Sequence, residues 1–361
     1  MSEQAPITFT LDGQALVAQP GDSIWQAAQR QGIHIPHLCH SEALRADGNC
    51  RACVVEVKGE RTLSASCCRQ ATQGLEVLLQ TERVQHSQKM VLELLLSDMP
   101  DAGHKWSSQE VGAHPASADQ HGELSHWARA LDVQVRPELK ALRRAQPAPD
   151  VSHPAMAVNL DACIQCRRCV RACREEQVND VLGYANRGAH SEVVFDLNDP
   201  MGLSTCVACG ECVQACPTGA LMPKTHQGDQ VVDKKVDSVC PYCGVGCLLT
   251  YHVKDNRIVS VEGRDGPANQ SRLCVKGRFG YDYAHNPQRL TQPLIRKAGV
   301  PKDPALLNQL NRDPAHWSDV FREATWEEAL DAAALPLKHL RDTYGKKALA
   351  GFGSAKGSNE E

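Results

Sequence analysis

Apolar and polar positions alternate over Ile7–Leu11, Asp12-Gly13 is a hairpin turn signal, and Ala15–Ala18 supplies the returning strand. Asp22 or Ser23 caps a short helix running to Gln31, with Gly32 where a C′ glycine belongs. Cys53–Val57 reads as a second extended stretch closed by a turn at Lys58-Gly59-Glu60-Arg61. Val84, Met90, Val91, Leu94 and Leu95 predict one broad apolar face of a helix. A polar stretch, Asp98–Gly122, follows, and Ala145–Pro154, with Pro147, Pro149 and Pro154, reads as a linker. Farther on, Leu248–Val253 and Arg257–Val261 are strand-like around a turn at Asp255-Asn256. Thr325 with Glu328 makes a capping box for a helix towards Tyr344, ended by Gly345, which Pro336 should kink or split. Lys347–Phe352 reads as a strand entering Gly353-Ser354-Ala355-Lys356-Gly357. Such a turn normally feeds a helix, and none follows, so the chain reads as a piece of a longer protein.

Length narrows this further. At 361 residues the chain has room for two to four domains, and 42% apolar content fits a globular class. Only 4% of residues are aromatic and the net charge is −4, which argues against a base-stacking, nucleic-acid or membrane-surface protein. No run approaches the roughly 18 apolar residues of a transmembrane helix. The opening MSEQAPITFT has no signal-peptide character, so a cytoplasmic location is expected.

The 17 cysteines change the picture most. They are clustered, none falls between Cys68 and Cys163 or after Cys274, and in a cytoplasmic chain clustered thiols point to metal ligation rather than disulfides. Two runs repeat one spacing: Cys163-x2-Cys166-x2-Cys169-x3-Cys173 and Cys206-x2-Cys209-x2-Cys212-x3-Cys216-Pro217. In two-cluster ferredoxins the fourth cysteine of each run ligates the other cluster. That assigns Cys163, Cys166, Cys169 and Cys216 to one [4Fe-4S] cluster, and Cys206, Cys209, Cys212 and Cys173 to the second. Two zinc sites are the alternative, although zinc usually joins two distant Cys-x2-Cys halves. Arg174 stands where the first run would carry a proline. An N-terminal set, Cys39-x10-Cys50-x2-Cys53-x13-Cys67, has a longer first gap than the plant-type [2Fe-2S] order but a fitting strand–turn–strand–helix start. Cys240-x2-Cys243-x3-Cys247-x26-Cys274 holds, on spacing alone, either a [4Fe-4S] cluster or a zinc.

The surrounding residues carry a resemblance. Gly48-Asn49-Cys50-Arg51-Ala52-Cys53-Val54-Val55-Glu56-Val57 with Ser66-Cys67 resembles the N-terminal ferredoxin domain of the large iron–sulfur subunit of complex I, also found in iron-only hydrogenases and NAD-linked formate dehydrogenases. Cys240-Pro-Tyr-Cys243-Gly-Val-Gly-Cys247 with Leu273-Cys274-Val275-Lys276-Gly277-Arg278 is similar to the start of molybdenum- or tungsten-dependent formate dehydrogenases. That family likeness continues through Thr325–Leu330 to Gly353–Glu361. It implies a bis-pterin guanine dinucleotide cofactor beside the last cluster, with Lys276 between cluster and pterin as an electron relay. It also implies pterin contacts at Ser354, Lys356 and Asn359. The metal-binding cysteine or selenocysteine, its histidine and the formate-contacting arginine of that family have no counterpart in this sequence.

The expected architecture is therefore α+β and multidomain. Residues 1–83 form a β-grasp [2Fe-2S] domain and 84–152 a helix and linker. Residues 153–228 form a two-[4Fe-4S] ferredoxin domain, 229–295 the [4Fe-4S] domain of a molybdopterin oxidoreductase, and 296–361 the beginning of its pterin-binding domain. Relatives often place a cluster bound by one histidine and three cysteines after the first domain. Here 96–126 offers His104, His114, His121 and His126 but no cysteine, so that cluster is expected to be absent. One [2Fe-2S] and three [4Fe-4S] clusters use all the cysteines but Cys68, which is expected to be a small buried apolar residue. The resemblance implies formate oxidation in the full enzyme, with electrons passing to a partner subunit that binds FMN and NAD. Another pterin oxidoreductase, such as a nitrate reductase, and a free-standing electron-transfer subunit are the competing readings, with a zinc-structured interaction module as the outsider.

Overall fold

The hairpin forms as its sequence dictates: β1 (Ile7–Leu11) pairs antiparallel with β2 (Gln14–Ala18) about Asp12 and Gly13, both at positive φ. This computed structural model describes residues 5–99, 122–140, 144, 148–225, 232–287, 289–306, 308 and 317–353. Helix α1 (Ile24–Arg30) starts at Ser23 with a complete capping box to Gln26, and the chain leaves it through Gly32 at φ +75°. With β3 (Val54–Val57), β4 (Ser64–Ala65) and β5 (Glu76–Leu78), the hairpin makes a five-stranded sheet ordered β2-β1-β5-β3-β4. The central β1–β5 pair is parallel and the others are antiparallel. Inward residues of the alternating strands, among them Phe9, Leu11, Leu16, Val55, Val57 and Val77, pack on Ile24, Trp25 and Ala28 of the helix. This is the β-grasp arrangement the sequence leads one to expect.

Helix α2 (Glu82–Ser97) is capped by Thr81, whose hydroxyl accepts from the Val84 N–H. Its buried stripe is Val84, Gln88 and Leu92, one residue per turn, whereas Leu94 is 51% exposed. The apolar positions alone mislead here. Gln88 is drawn into the interior because its side-chain amide donates to the Val54 carbonyl at 2.9 Å, and this rotates the helix away from the expected face. Two shorter helices follow, α3 (Glu123–Ala130) and α4 (Pro137–Lys140). The expected linker is pinned where it is described: Asp150 bridges to Val158, its carboxylate accepts from the Ser152 and Met201 N–H groups, and His153 is buried.

The repeated cysteine runs sit in a small domain closed by β6 (Met156–Val158) pairing antiparallel with β9 (Leu221–Pro223), with β7 (Leu182–Ala185) and β8 (Glu192–Phe195) as a second hairpin. Each run ends in a short helix, α5 (Arg168–Arg171) and α6 (Glu211–Ala215). A three-stranded antiparallel sheet follows: β10 (Lys234–Val239), β11 (Leu248–Lys254) and β12 (Arg257–Gly263), with Asp255 and Asn256 both left-handed in the turn. Helix α7 (Val275–Phe279) completes this unit, which spans the chain to Cys240 together with Cys247–Phe279.

The remaining described residues, Pro241–Gly246 and those from Gly280 on, form a separate unit. In it β13 (Leu294–Arg296) pairs with β14 (Phe321–Glu323), α8 spans Trp317–Val320 and α9 spans Trp326–Tyr344. The Thr325 hydroxyl accepts from the Glu328 N–H, while the Glu328 carboxylate pairs with Arg322 instead of reaching back to the cap. Helix α9 runs through Pro336 unbroken, so of the expected kink or split the split does not occur; it buries no residue, so the carbonyl freed by the missing N–H lies in an unburied helix. Lys347–Phe352 does not form the expected strand. A short 3-10 turn covers Lys346–Ala348, and the exposed residues after it have no neighbouring strand among the described residues to complete a ladder. No helix among the described residues is long and apolar enough to cross a membrane.

Candidate metal centres

The two cysteine runs of the small domain wrap identically. In Cys163-Ile-Gln-Cys166-Arg-Arg-Cys169 the left-handed residues are Gln165 (φ 56°) and Arg167 (φ 61°). In Cys206-Val-Ala-Cys209-Gly-Glu-Cys212 they are Ala208 (φ 56°) and Gly210 (φ 75°), at the same two offsets. Non-glycine residues reach this region at an energetic cost, so its recurrence at matched positions marks an imposed geometry. One purpose is visible. The Gln165 N–H turns back to donate to Cys163 Sγ at 3.4 Å, and the Ala208 N–H does the same to Cys206 Sγ at 3.4 Å. A backbone donor aimed at a cysteine sulfur stabilises negative charge there.

The thiols sort into two groups across the repeat. Burial pushes the Cys166 thiol up, and Cys216 and Cys163 beside it add to the effect. Burial likewise raises Cys212, with Cys209, Cys206 and Cys173 adding to it. Cys209 is raised by burial, then by the Glu211 charge, and further by Cys206 and Cys173. Cys169 is raised by burial and by Cys166, Cys163, Cys216 and, across the divide, Cys212. The last cysteine of each run thus sits among the first three of the other, and the Thr218 hydroxyl, donating to the Ala162 carbonyl at 2.6 Å, ties the end of one run to the start of the other. A buried thiol is a poor thiolate alone, so deprotonating these sets requires a positively charged occupant.

In the sheet domain, Cys39 and Cys50 each accept from the other's backbone N–H, at 3.3 and 3.4 Å, and Cys53 Sγ lies 3.4 Å from Cys67 Sγ. Contacts from the Cys50 and Cys67 thiols hold Cys39 well below its ordinary value. All four expected residues are therefore brought together. Ser66, fully buried, supports them by donating to the Cys53 carbonyl at 2.7 Å. Cys68 is exposed, not buried as expected, because the turn marked by its N–H bond to the Ala65 carbonyl points it outward; its Sγ lies 3.7 Å from Cys67 Sγ. A Cβ on Gly48 would come within 2.9 Å of Cys68 Sγ, and Gly48 has φ +63°, so both space and backbone call for glycine.

Of the third set, Cys240, Cys247 and Cys274 belong to the first unit and Cys243 to the second. The Cys240 N–H donates to the Cys247 carbonyl at 2.8 Å, and Cys247 and Cys274 line a common cavity of about 290 Å³ with Asn269 and Arg272. Lys276 is exposed on α7. Ser354, Lys356 and Asn359 lie outside the described residues, as do His104, His114 and His121; His126 lies on α3. Among the described residues no three His, Cys, Asp or Glu side chains converge as they would around a single ion. The grouping of the cysteines therefore rests on the contacts above rather than on an ion-like arrangement.

Sequence reasoning passed over three arginines. Arg168, Arg171 and Arg278 are 5%, 6% and 2% exposed, although their neighbours in sequence read as ordinary surface charge. Glu123 pairs with Arg168 at 2.7 Å and Glu211 with Arg278 at 2.5 Å.

Three family descriptions match successive stretches of the chain: a 2Fe-2S iron-sulfur cluster binding domain over residues 4–82, a 4Fe-4S dicluster domain over 162–220, and a molybdopterin oxidoreductase Fe4S4 domain over 233–286. The chain carries three iron–sulfur domains in series, the last of the molybdopterin oxidoreductase type. This iron–sulfur segment is 27% identical to a provisionally named formate dehydrogenase of Staphylococcus haemolyticus, over 99% of its own length and 37% of the relative's. It is 28% identical to the NADPH-Fe(3+) oxidoreductase subunit alpha of Geobacter sulfurreducens, over 98% of its own length and 38% of that protein's. It is 30% identical to an NADH-quinone oxidoreductase subunit of Rhizobium meliloti, over 81% of its own length and 33% of that protein's. A chain in the crystal structure of an NAD+-reducing [NiFe]-hydrogenase superposes with a TM-score of 0.53 at 28% identity, covering 64% of this chain and 92% of that one. The segment thus spans well under half the length of these curated relatives. Its likeness to formate dehydrogenase-like and NADH-quinone oxidoreductase-type proteins is confined to their iron–sulfur part.

Proposed function

We propose that this segment is the electron-carrying half of the catalytic subunit of an NAD-linked, molybdenum- or tungsten-dependent formate dehydrogenase. In this reading Cys39, Cys50, Cys53 and Cys67 hold a [2Fe-2S] cluster. Cys163, Cys166, Cys169 and Cys216 hold one [4Fe-4S] cluster, Cys173, Cys206, Cys209 and Cys212 a second, and Cys240, Cys243, Cys247 and Cys274 a third. In this reading the domains run over 1–83, 84–152, 153–228, 229–295 and 296–361. The observation that carries the reading is the crossed grouping of the eight central thiols, which suits two four-iron clusters held in common by both runs.

When bound, such clusters accept and donate single electrons, which suits them to link a two-electron reaction to a distant acceptor. The chain's own residues prepare the sites. The Gln165 and Ala208 N–H groups point at Cys163 and Cys206 sulfurs, burial excludes water from Cys166, Cys169 and Cys212, and Ser66 fixes the backbone of Cys53 just before β3. Lys276 follows Cys274 by two residues and is assigned the place between the last cluster and a bis-pterin guanine dinucleotide cofactor, with Ser354, Lys356 and Asn359 as further pterin contacts. The N-terminal domain faces an FMN- and NAD-binding partner, a role supported by the likeness to a chain of an NAD+-reducing hydrogenase. So many clustered cysteines fit the reducing cytoplasm. A second reading, a free-standing electron-transfer subunit, is favoured by the 92% coverage of that hydrogenase chain.

Anaerobic metal analysis of the native protein tests both. The proposal expects about 14 iron atoms per polypeptide, no zinc, and one molybdenum or tungsten, together with formate-dependent reduction of NAD by the complex. Iron without molybdenum or tungsten selects the free-standing subunit, and zinc in place of iron removes the redox reading altogether.

A further inference from the structure

Three buried guanidinium groups cross from one cysteine motif to the next, and two of them reach a cysteine carbonyl. Arg171 lies on α5, the helix that carries Cys169, and donates through Nη2 to the carbonyl of Cys39 and through Nη1 to the carbonyl of Arg45. Its helix neighbour Arg168 donates to the Leu38 carbonyl at 3.2 Å while held by Glu123. The Asn49 amide, beside Cys50, adds a bond to the Gln165 carbonyl, beside Cys166. At the next junction Arg278, on α7 with its N–H on the Cys274 carbonyl, donates through Nε to the Cys209 carbonyl at 2.9 Å. Gln214 and Glu211 hold its remaining nitrogens at 2.7 and 2.5 Å, and Glu211 also accepts from the Leu273 N–H.

The two junctions share one design. An arginine on a short helix tied to one cluster cysteine donates to the backbone carbonyl of a cluster cysteine in the neighbouring motif. Burying such a charge is expensive, and a well-packed apolar residue serves stability as well or better. An apolar contact has no preferred direction, whereas the planar guanidinium fork fixes both distance and angle. Electron tunnelling falls steeply with separation, so a few tenths of an ångström of play between motifs matters to a relay and little to a fold.

We propose that Arg171 and Arg278 are positioning residues for electron transfer, each holding two neighbouring cluster motifs at a fixed separation: Arg171 the Cys39 set against the Cys163 set, and Arg278 the Cys206 set against the Cys274 segment. This rests on the cluster assignment proposed above. The test uses the native iron-loaded protein with Arg171→Met and Arg278→Met, which keep packing volume and lose the donors, and Arg171→Lys and Arg278→Lys, which restore one. Electron paramagnetic resonance of the reduced protein reads both the individual cluster signals and the magnetic interaction between neighbours. The expected result is full iron content, unchanged individual signals, and selective loss of the interaction across the altered junction, with partial return in the lysine variants. Hydrogen exchange of amides 38–45 should rise about tenfold or more in Arg171→Met and stay at the wild-type rate in Arg278→Met. Unchanged interactions and exchange in both variants overturn the proposal, as do equal losses at both junctions from either single change, or loss of iron itself. A wild-type protein lacking the cluster signals fails the underlying assignment instead, which the iron count reveals separately.

Discussion

His153 is 5% exposed, and its Nδ1 accepts from the N–H groups of both Ala155 and Met156 at 3.1 Å, so that nitrogen must be unprotonated. Burial, with the nearby Lys224 charge adding to it and Asp150 opposing, holds its pKa below the ordinary 6.5. The folded chain therefore binds this proton less tightly than the unfolded one. Its full contribution to stability is present above about pH 6.5 and is lost as pH falls from there towards the lowered folded value. His153→Asn keeps an acceptor without a titrating ring. In thermal unfolding between pH 7 and pH 5 the variant is expected to lose part of the acid-side decline that the parent shows; parallel curves would exclude the assignment. The residue scale is also where the sequence was least readable. A histidine or arginine looks the same in the chain whether it lies in solvent or in the interior. Nothing at positions 168, 171 and 278 distinguishes their buried roles from surface charge, and nothing beside Cys67 revealed that Cys68 points outward.

At the scale of elements the sequence spoke more plainly, because turn and cap chemistry is local. Asp12-Gly13, Ser23 (one of the two caps offered), Asp255-Asn256 and Thr325 all stand where the structure uses them. Failures came where a partner decided: α2 turned to bury Gln88, and Lys347–Phe352 found no strand to pair with. The repeated loops show local and tertiary demands meeting at one residue. Gly210 has φ +75°, and a Cβ there would stand 2.0 Å from Arg278 Cδ and 2.9 Å from Phe279 Cζ. Arg278 cannot swing aside without leaving Cys209, Glu211 and Gln214. Gly210→Ala is therefore expected to cost about 2–4 kcal/mol, adding left-handed strain to overpacking. Ala208→Gly, at the other left-handed position of that run, should change stability by no more than about 1 kcal/mol. Urea unfolding of the two variants checks the contrast, and equal effects would show that Arg278 yields.

On the scale of the molecule, the unit up to Phe279 holds the buried apolar clusters, while helix α9 of the other unit buries no residue. Trp326, Leu330, Leu337, Leu340 and Tyr344 on α9 are 40–71% exposed. At about 100° per residue these five positions fall within roughly 40° of one line, a continuous apolar stripe. Exposed apolar area of this extent is unusual on a folded protein and normally marks a surface meant to be covered. The helix itself gains little from the stripe, since none of its residues is buried, and its local support comes from Thr325 and from Glu328 with Arg322. Charging the stripe should therefore separate surface chemistry from fold. In the 361-residue chain, Leu330→Lys combined with Leu337→Lys is expected to shift unfolding by no more than about 0.5 kcal/mol per site. The same change should markedly lower binding of an apolar-surface dye and reduce self-association in sedimentation. A large loss of stability would show that α9 packs on part of its own chain in solution. Unchanged dye binding would place the exposed apolar surface elsewhere.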